Sequence, residues 1–340
     1  MMRKGVGIIP GPLLRWEEMM TATIEAERLV TEGRTDEAVA LLGRAAQAGD
    51  PDAAMLLAVW HLRGEPLPRD LVRARMWLRR AVEIGHVDGA LMEVALAANG
   101  SGAAPDWAGA LALLRQAARQ DHVAAAQLAL VDAMALDGAG APAVVPPGEM
   151  LSEAPRVVRF PALLTPQECA HLASVAGALL EPARVIDPRT GRWIAHPVRS
   201  SEDAAIGPTR EDLVVRAINA RVAAISATGI DQGEPLTVLR YRPGQEYRPH
   251  LDTIQGAANQ RIATVLLYLN QGFGGGETHF PDAGLTVTPR GGDALLFINT
   301  LADGRPDPAS RHAGLPVTHG AKWLATRWIR RAAVDPWTLA

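Results

Sequence analysis

Cysteine is almost missing from this chain: Cys169 stands alone among 340 residues. A single thiol excludes an internal disulfide framework, and a reducing cytoplasm is the expected compartment. Charge of either sign is also nearly balanced, with a formal net of −3. That balance argues against a nucleic-acid binder, whose footprint is a concentrated basic surface. No apolar run approaches the ~18 residues of a membrane span. The opening MMRKGVGIIPGPLL is interrupted by Gly5, Gly7, Pro10, Gly11 and Pro12, so no signal-peptide core is expected. Aromatic residues are only 4% of the chain, and every tyrosine and phenylalanine lies at or beyond Phe160. What is plentiful is apolar aliphatic content, 48% hydrophobic against 21% charged. That mix is the composition of ordered globular domains, and the length suits two of them.

The first part of the chain repeats itself. RAAQAGDPDAA begins at Arg44, RAVEIGHVDGA at Arg80 and QAARQDHVAAA at Gln116, and 80 − 44 = 116 − 80 = 36. Ala38, Ala74 and Ala110 recur in phase, as do Ala45, Ala81 and Ala117, with Gly49, Gly64 and Gly85 at turn positions. Helical apolar spacing at a fixed period of this size marks stacked helix-turn-helix units. The segment resembles the Sel-like subclass of tetratricopeptide repeats. Residues 12–141 are expected to be a TPR-like helical repeat domain. Its mostly Ala, Leu, Val and Met helix faces suit packing on the second domain or on another copy in a homodimer.

Pro142, Pro146 and Pro147 end the helical pattern, so residues 142–155 are expected as a linker. Beyond it come short β-rich runs (RVVRFPAL, PLTVLRY, RIATVLLYLN, DALLFI, AKWLATRWIR) and two amphipathic helices, PQECAHLASVAGALL and REDLVVRAINARVAAISATG. Regular strands with Gly and Pro punctuation point to a β-sandwich or small barrel over 156–333. GFGGG (272–276) reads as a hairpin connection. Cys169, inside the first helix, reads as a small buried hydrophobe.

YRPGQEYRPHLD (241–252) concentrates two of the three tyrosines, a histidine and an aspartate in twelve residues. On a strand, His250 and Asp252 would share one face, with Leu251 turned into the core. An imidazole and a carboxylate side by side are two ligands of a two-histidine, one-carboxylate triad. The H-x-D pair alone is weak, because short motifs recur by chance. His279, His312 and His319 are candidates for the third ligand. Lys322 follows His312 at the start of a strand, and a lysine inside a barrel needs an anionic partner. No acid nearby in the sequence supplies one, whereas a bound dicarboxylate would. Choosing His319 puts Ile329 at the same interval, so His312 is the better assignment.

From about Arg156 to Arg330 the chain resembles the prolyl 4-hydroxylase catalytic domain of the 2-oxoglutarate- and Fe(II)-dependent dioxygenases. The matching elements are FPALLTPQECAHL, YRPGQEYRPHLD, RIATVLLYLN, GGGETHFP, PRGGDALLF and HAGLPVTHGAKWLATRW. The resemblance implies an α+β chain, with helical repeats followed by a double-stranded β-helix (jelly-roll) with flanking helices. It implies that His250, Asp252 and His312 hold Fe(II), that Lys322 pairs with the distal carboxylate of 2-oxoglutarate, and that Tyr241, Thr278 and Tyr268 contact that co-substrate. Trp328 would wall the pocket, and Tyr247 and Arg261 would meet the primary substrate. O2 is the oxidant and ascorbate the expected reductant. Segments 187–201 and 302–310 are candidate lids.

The implied reaction is hydroxylation of an unactivated C–H bond coupled to decarboxylation of 2-oxoglutarate to succinate. TIQGAANQ after Asp252 lacks the aromatic residue and longer loop of peptide-modifying relatives. A free amino or imino acid such as proline or pipecolate is therefore the expected substrate, its carboxylate received by Arg261 or Arg330. The alternatives are a proline-containing protein presented by the repeats, or a non-catalytic repeat adaptor. A relic adaptor would be expected to have lost a ligand or the lysine, and none is lost.

Overall fold

The computed structural model describes residues 12–186, 193–195 and 198–338. They form two compact units that divide between Leu128 and Ala129. No helix among the described residues is long and apolar enough to cross a membrane.

The first unit is helical. After α1 (Pro12–Thr31) come three pairs: α2 (Thr35–Gln47) with α3 (Pro51–Arg63), α4 (Leu71–Glu83) with α5 (Val87–Asn99), and α6 (Trp107–Ala117) with α7 (His122–Ala133), whose last residues lie past the division. The starts of α2, α4 and α6 reproduce the sequence period, 71 − 35 = 107 − 71 = 36. Ala38, Ala74 and Ala110 are buried at equivalent places on these three helices, where a methyl group lets neighbouring helices approach. Gly49 and Gly85 take φ of 100°, the left-handed turn that favours glycine. Side-chain caps then restart the chain: Asp50 accepts from the Asp52 and Ala53 amides, and His86 Nδ1 from Gly89 N–H. A charged cluster sits among the apolar faces. Glu93 of α5 is buried and takes Nη2–H of Arg75 at 2.7 Å and Nε–H of Arg79 at 2.9 Å.

The second unit is β-rich. In chain order it holds β1 (Glu149–Glu153), β2 (Arg156–Phe160), α8 (Pro166–Gly177), β3 (Glu181–Pro182), β4 (Arg184–Ile186), β5 (Trp193–Ala195), β6 (Glu202–Ile206) and α9 (Leu213–Ser226). There follow β7 (Leu236–Tyr241), β8 (Tyr247–His250), β9 (Arg261–Tyr268), β10 (Gly274–Gly275), β11 (Thr278–Phe280) and β12 (Leu285–Val287). The last strands are β13 (Ala294–Ile298), β14 (His312–Gly314), β15 (Val317–His319) and β16 (Lys322–Arg330).

The large sheet runs β1-β2-β13-β9-β16-β7-β6-β3 and the small one β12-β11-β14-β8. The pairings in both are antiparallel. A core that includes Val157, Leu266, Phe280, Val287, Leu295, Phe297 and Leu324 draws on both sheets, with Phe280 and Phe297 edge to face at 5.2 Å. Helix α9 packs on β9, and α8 on β6 and β7. Covered in this way, β9 can be apolar along most of its length. Thr165 caps α8, Glu168 returns the capping bond, and that same carboxylate receives Arg221 of α9 at 2.9 and 3.0 Å. Cys169 is buried, its thiol pushed up to about 11 by burial. It is inert packing, as expected.

Several expectations need correction. The segment 142–155 is not linker throughout, because β1 pairs with β2 as an edge of the large sheet. Leu251 is 37% exposed instead of in the core. The cause is that β8 ends at His250, so strand alternation does not extend through Asp252. GFGGG does more than turn: Gly274 and Gly275 pair with β15. The expected lid at 187–201 lies largely outside the described residues. The one at 302–310 is a hydrogen-bonded loop, with Leu301 N–H donating to Arg305 O and Asp307 N–H to Asn299 O.

Candidate metal centre

The small sheet brings the two histidines together. His250 closes β8, His312 opens β14, and the two are register partners, with ring centroids 4.3 Å apart. Each ring has its Nδ1 against a backbone carbonyl, His250 with Arg248 O at 2.8 Å and His312 with Ser310 O at 3.0 Å. Nδ1–H therefore donates, and each Nε2 offers a bare lone pair. Asp252 Oδ1 lies 3.5 Å from His250 Nε2, and Oδ2 lies 3.8 Å from His312 Nε2. One ligand atom from each of the three residues lies within 4.8 Å of the other two. His250 Nε2 is buried without a hydrogen-bond partner. Three acceptors converging with no proton between them is the arrangement a divalent cation fits.

Protonation agrees with that use. Burial pushes His312 down to about 4, with His250 adding to the shift and Asp252 opposing it. Burial alone would raise Asp252, but His312, His250 and the hydroxyl of Thr264 hold its carboxyl well below the usual range. Near neutral pH the donor set is a neutral imidazole and a carboxylate on these two sides, ready for a metal.

Lys322 opens β16 opposite Tyr241 of β7. It is buried, donates from Nζ to Gly276 O at 2.7 Å, and lies 5.5 and 5.7 Å from the ring centres of Tyr241 and Tyr268. Among the described residues no ion pair is formed by this ammonium. Burial pushes it down to about 8, with the charge of Glu277 opposing. Gly276 closes over its stem at φ +72°, where a Cβ would lie 3.0 Å from Lys322 Cδ.

One cavity joins His250, Asp252 and His312 to Lys322, Tyr241, Tyr247, Thr278 and Trp328. Lys322, Leu324, Thr326 and Trp328, alternate residues of β16, all line this space, so Lys322 and Trp328 share it despite their six-residue separation. Tyr247 stacks on the His250 ring at 3.4 Å. Tyr268 stands behind the cavity wall, its hydroxyl bonded to Thr278 Oγ1 at 2.8 Å. Arg261 is not at the wall. Its guanidinium covers the Trp328 ring at 4.1 Å and binds Glu234 through Nε and Nη2, both at 2.7 Å. Arg330 Nε–H donates to the same Glu234 carboxylate.

Residues that motif reasoning passed over complete the site. Thr264 Oγ1–H donates to Asp252 Oδ2 at 2.6 Å, and Asn299 Nδ2–H donates to Thr264 Oγ1 at 2.9 Å. Arg199 and Thr326 line the cavity. The available signal was polarity inside apolar strand runs: the threonine of RIATVLLY and the asparagine that ends LLFIN.

Residues 236–330 match the 2OG-Fe(II) oxygenase superfamily, and 35–50, 51–86 and 90–122 match Sel1 repeats. Prolyl 4-hydroxylase 1 of Arabidopsis thaliana is 36% identical over 206 residues, covering 55% of this chain and 73% of the relative. The chain belongs to the 2OG-Fe(II) oxygenases, with prolyl 4-hydroxylases as its relatives. Prolyl 4-hydroxylase 2 of the same plant is 37% identical over 213 residues, covering 55% of this chain and 71% of its own. A viral collagen prolyl hydroxylase from Paramecium Bursaria Chlorella virus-1 is 27% identical, with a TM-score of 0.42, over 53% of this chain and 96% of that one. This oxygenase is a 2-oxoglutarate-dependent hydroxylase, and its family implies Fe(II), 2-oxoglutarate and O2. The His-Asp-His cluster is the donor set such an ion fits.

Proposed function

We propose that this oxygenase hydroxylates a prolyl residue within a peptide or protein, with His250, Asp252 and His312 holding Fe(II) and Lys322 gripping 2-oxoglutarate. The observation that carries the substrate class is the engagement of Arg261 and Arg330 by Glu234. A free amino or imino acid brings a carboxylate that needs a cationic receptor, and the two guanidiniums expected in that role already share an internal anion. Arg199, which does line the cavity, is paired with Asp203 at 3.0 Å. The expected free-acid substrate therefore gives way to a prolyl residue, whose carbonyl is amide-bound and uncharged. The relatives, named prolyl 4-hydroxylases, agree.

Bound Fe(II), with 2-oxoglutarate and O2, supplies the oxidant for C–H hydroxylation, 2-oxoglutarate leaving as succinate and CO2. The chain's own part is ligation, orientation and shielding. The Nε2 atoms of His250 and His312 and the carboxylate of Asp252 supply three donors. Lys322, lodged against Gly276 O, presents one ammonium to one distal carboxylate in a site where burial strengthens the attraction. Tyr241 is pushed well above its usual range by burial, so its phenol stays protonated and able to donate. Thr278 Oγ1 is fixed by Tyr268. Tyr247, against the His250 ring, and Trp328, braced by Arg261, form apolar walls that exclude water. Ascorbate is the proposed reductant that keeps the iron ferrous.

The test supplies purified protein with Fe(II), ascorbate and 2-oxoglutarate, and either a proline-containing peptide, free L-proline or L-pipecolate. Succinate and a mass gain of one oxygen are expected with the peptide. Turnover of a free acid with none of the peptide would overturn the substrate class.

A further inference from the structure

Strand geometry does not aim Asp252. β8 stops two residues earlier, and Leu251 between them is turned to solvent. The carboxylate is aimed from behind by two buried side chains of the large sheet. Thr264, in the middle of β9, donates its hydroxyl proton to Asp252 Oδ2 at 2.6 Å. Asn299, just past the end of β13, donates Nδ2–H to Thr264 Oγ1 at 2.9 Å. Neither residue has measurable exposure.

The chain of donors has a direction. A threonine hydroxyl has one proton and two lone pairs. With the amide of Asn299 filling one lone pair, the hydroxyl proton turns to the Asp252 carboxylate. Asn299 is itself fixed from both sides, since its N–H donates to Ile262 O at 2.8 Å and its O accepts from Asp307 N–H at 2.9 Å. Its side-chain Oδ1 is buried without a protein partner. A buried amide oxygen left unpaired is destabilising, and an apolar side chain of similar size would avoid the penalty. Stability does not account for an asparagine here, whereas its hydrogen bond to Thr264 does.

We infer that Thr264 and Asn299 are positioning residues that hold Asp252 through a hydrogen bond to Oδ2 and leave Oδ1, which accepts none among the described residues, as the oxygen free for the metal. The inference rests on the metal reading of His250, Asp252 and His312. A carboxylate held in this way occupies one coordination position instead of two, which keeps positions open for the co-substrates.

Metal-free full-length protein titrated with Co(II) tests this without turnover, by reading affinity and the visible absorption band, with thermal melting followed alongside. Thr264→Val is expected to weaken Co(II) binding about 10- to 100-fold, the usual effect of losing such a supporting hydrogen bond, and to shift the band as the carboxylate rotates. Thr264→Ser should restore both. Asn299→Leu should weaken binding by roughly severalfold, since the hydroxyl is retained but its rotor is freed, while its melting temperature stays level or rises. A purely structural pair would show the reverse, lower melting with unchanged binding. Wild-type affinity and band in folded Thr264→Val would overturn the inference. If that variant does not fold, wild-type affinity in Asn299→Leu does so. Asp252→Ala separates the two layers. Loss of Co(II) there, with none in the Thr264 and Asn299 variants, sinks this inference alone, while retained binding in Asp252→Ala sinks the metal reading with it.

Discussion

His250 and His312, far apart in the chain, are direct register partners on adjacent antiparallel strands, with their rings 4.3 Å apart. That pairing brings two imidazoles to one edge of the small sheet before any ion is considered. Asp252 and Lys322 extend the same cavity to opposite tasks, one anionic and one cationic.

Replacing Lys322 with methionine should raise the KM for 2-oxoglutarate by roughly ten- to hundredfold, the worth of one charge-assisted hydrogen bond. The denaturation midpoint of the metal-free protein should not fall, because a buried ammonium without an ion pair among the described residues is removed. The charge titrates at about 8 in the folded chain against 10.5 ordinarily. The unfolded chain thus holds more protons between those values, and stability of the co-substrate-free protein should rise with pH across the window. Affinity for 2-oxoglutarate should move the other way above pH 8, as the ammonium is lost. Equal affinity at pH 7 and pH 10 would contradict this role.

Gly276→Ala tests the cradle. A Cβ there would sit 3.0 Å from Lys322 Cδ on a backbone at φ +72°. Strain of about 1–3 kcal/mol is expected, together with a raised KM for 2-oxoglutarate as the lysine is displaced. Gly272→Ala is the control. Its φ is +88° but nothing lies within 4 Å of an added Cβ, so stability should drop while KM holds. Equal KM effects in the two variants would count against the cradle.

Acid should destabilise the metal-free protein in two successive stages. Burial holds His312 down at about 4 against 6.5 ordinarily, so the unfolded chain gains a proton first and stability falls as pH drops from 6.5 to 4. Asp252, held below the usual carboxylate range chiefly by His312 and His250 against its burial, adds a loss of the same sign below about 3.8. Melting temperature measured against pH in His312→Gln should be flatter between 6.5 and 4. An identical slope would show that His312 is not the group responsible.

Much of this was legible in the sequence because it depends on local spacing. The 36-residue period became the interval between helix pairs. H-x-D and the histidine-to-lysine interval are short-range patterns, and strand pairing then brings His250, Asp252, His312 and Lys322 to one cavity. What escaped depends on contacts between distant strands. Leu251 faces solvent because β8 ends at His250, two residues short of Asp252, a boundary that alternation does not mark. Thr264 and Asn299 carry no motif, and only the pairing of β9 with β13 sets them behind Asp252. Arg261 and Arg330 looked available for substrate because nothing local announces that Glu234, well upstream of both, engages them together.

The most direct measurement is the number of Mn(II) ions bound per chain, read by electron paramagnetic resonance during titration of metal-free protein. One tight site is expected in the wild type, with its loss in His312→Ala and no change in His319→Ala. Tight binding that persists in His312→Ala, or is abolished by His319→Ala alone, would contradict a centre built from His250, Asp252 and His312.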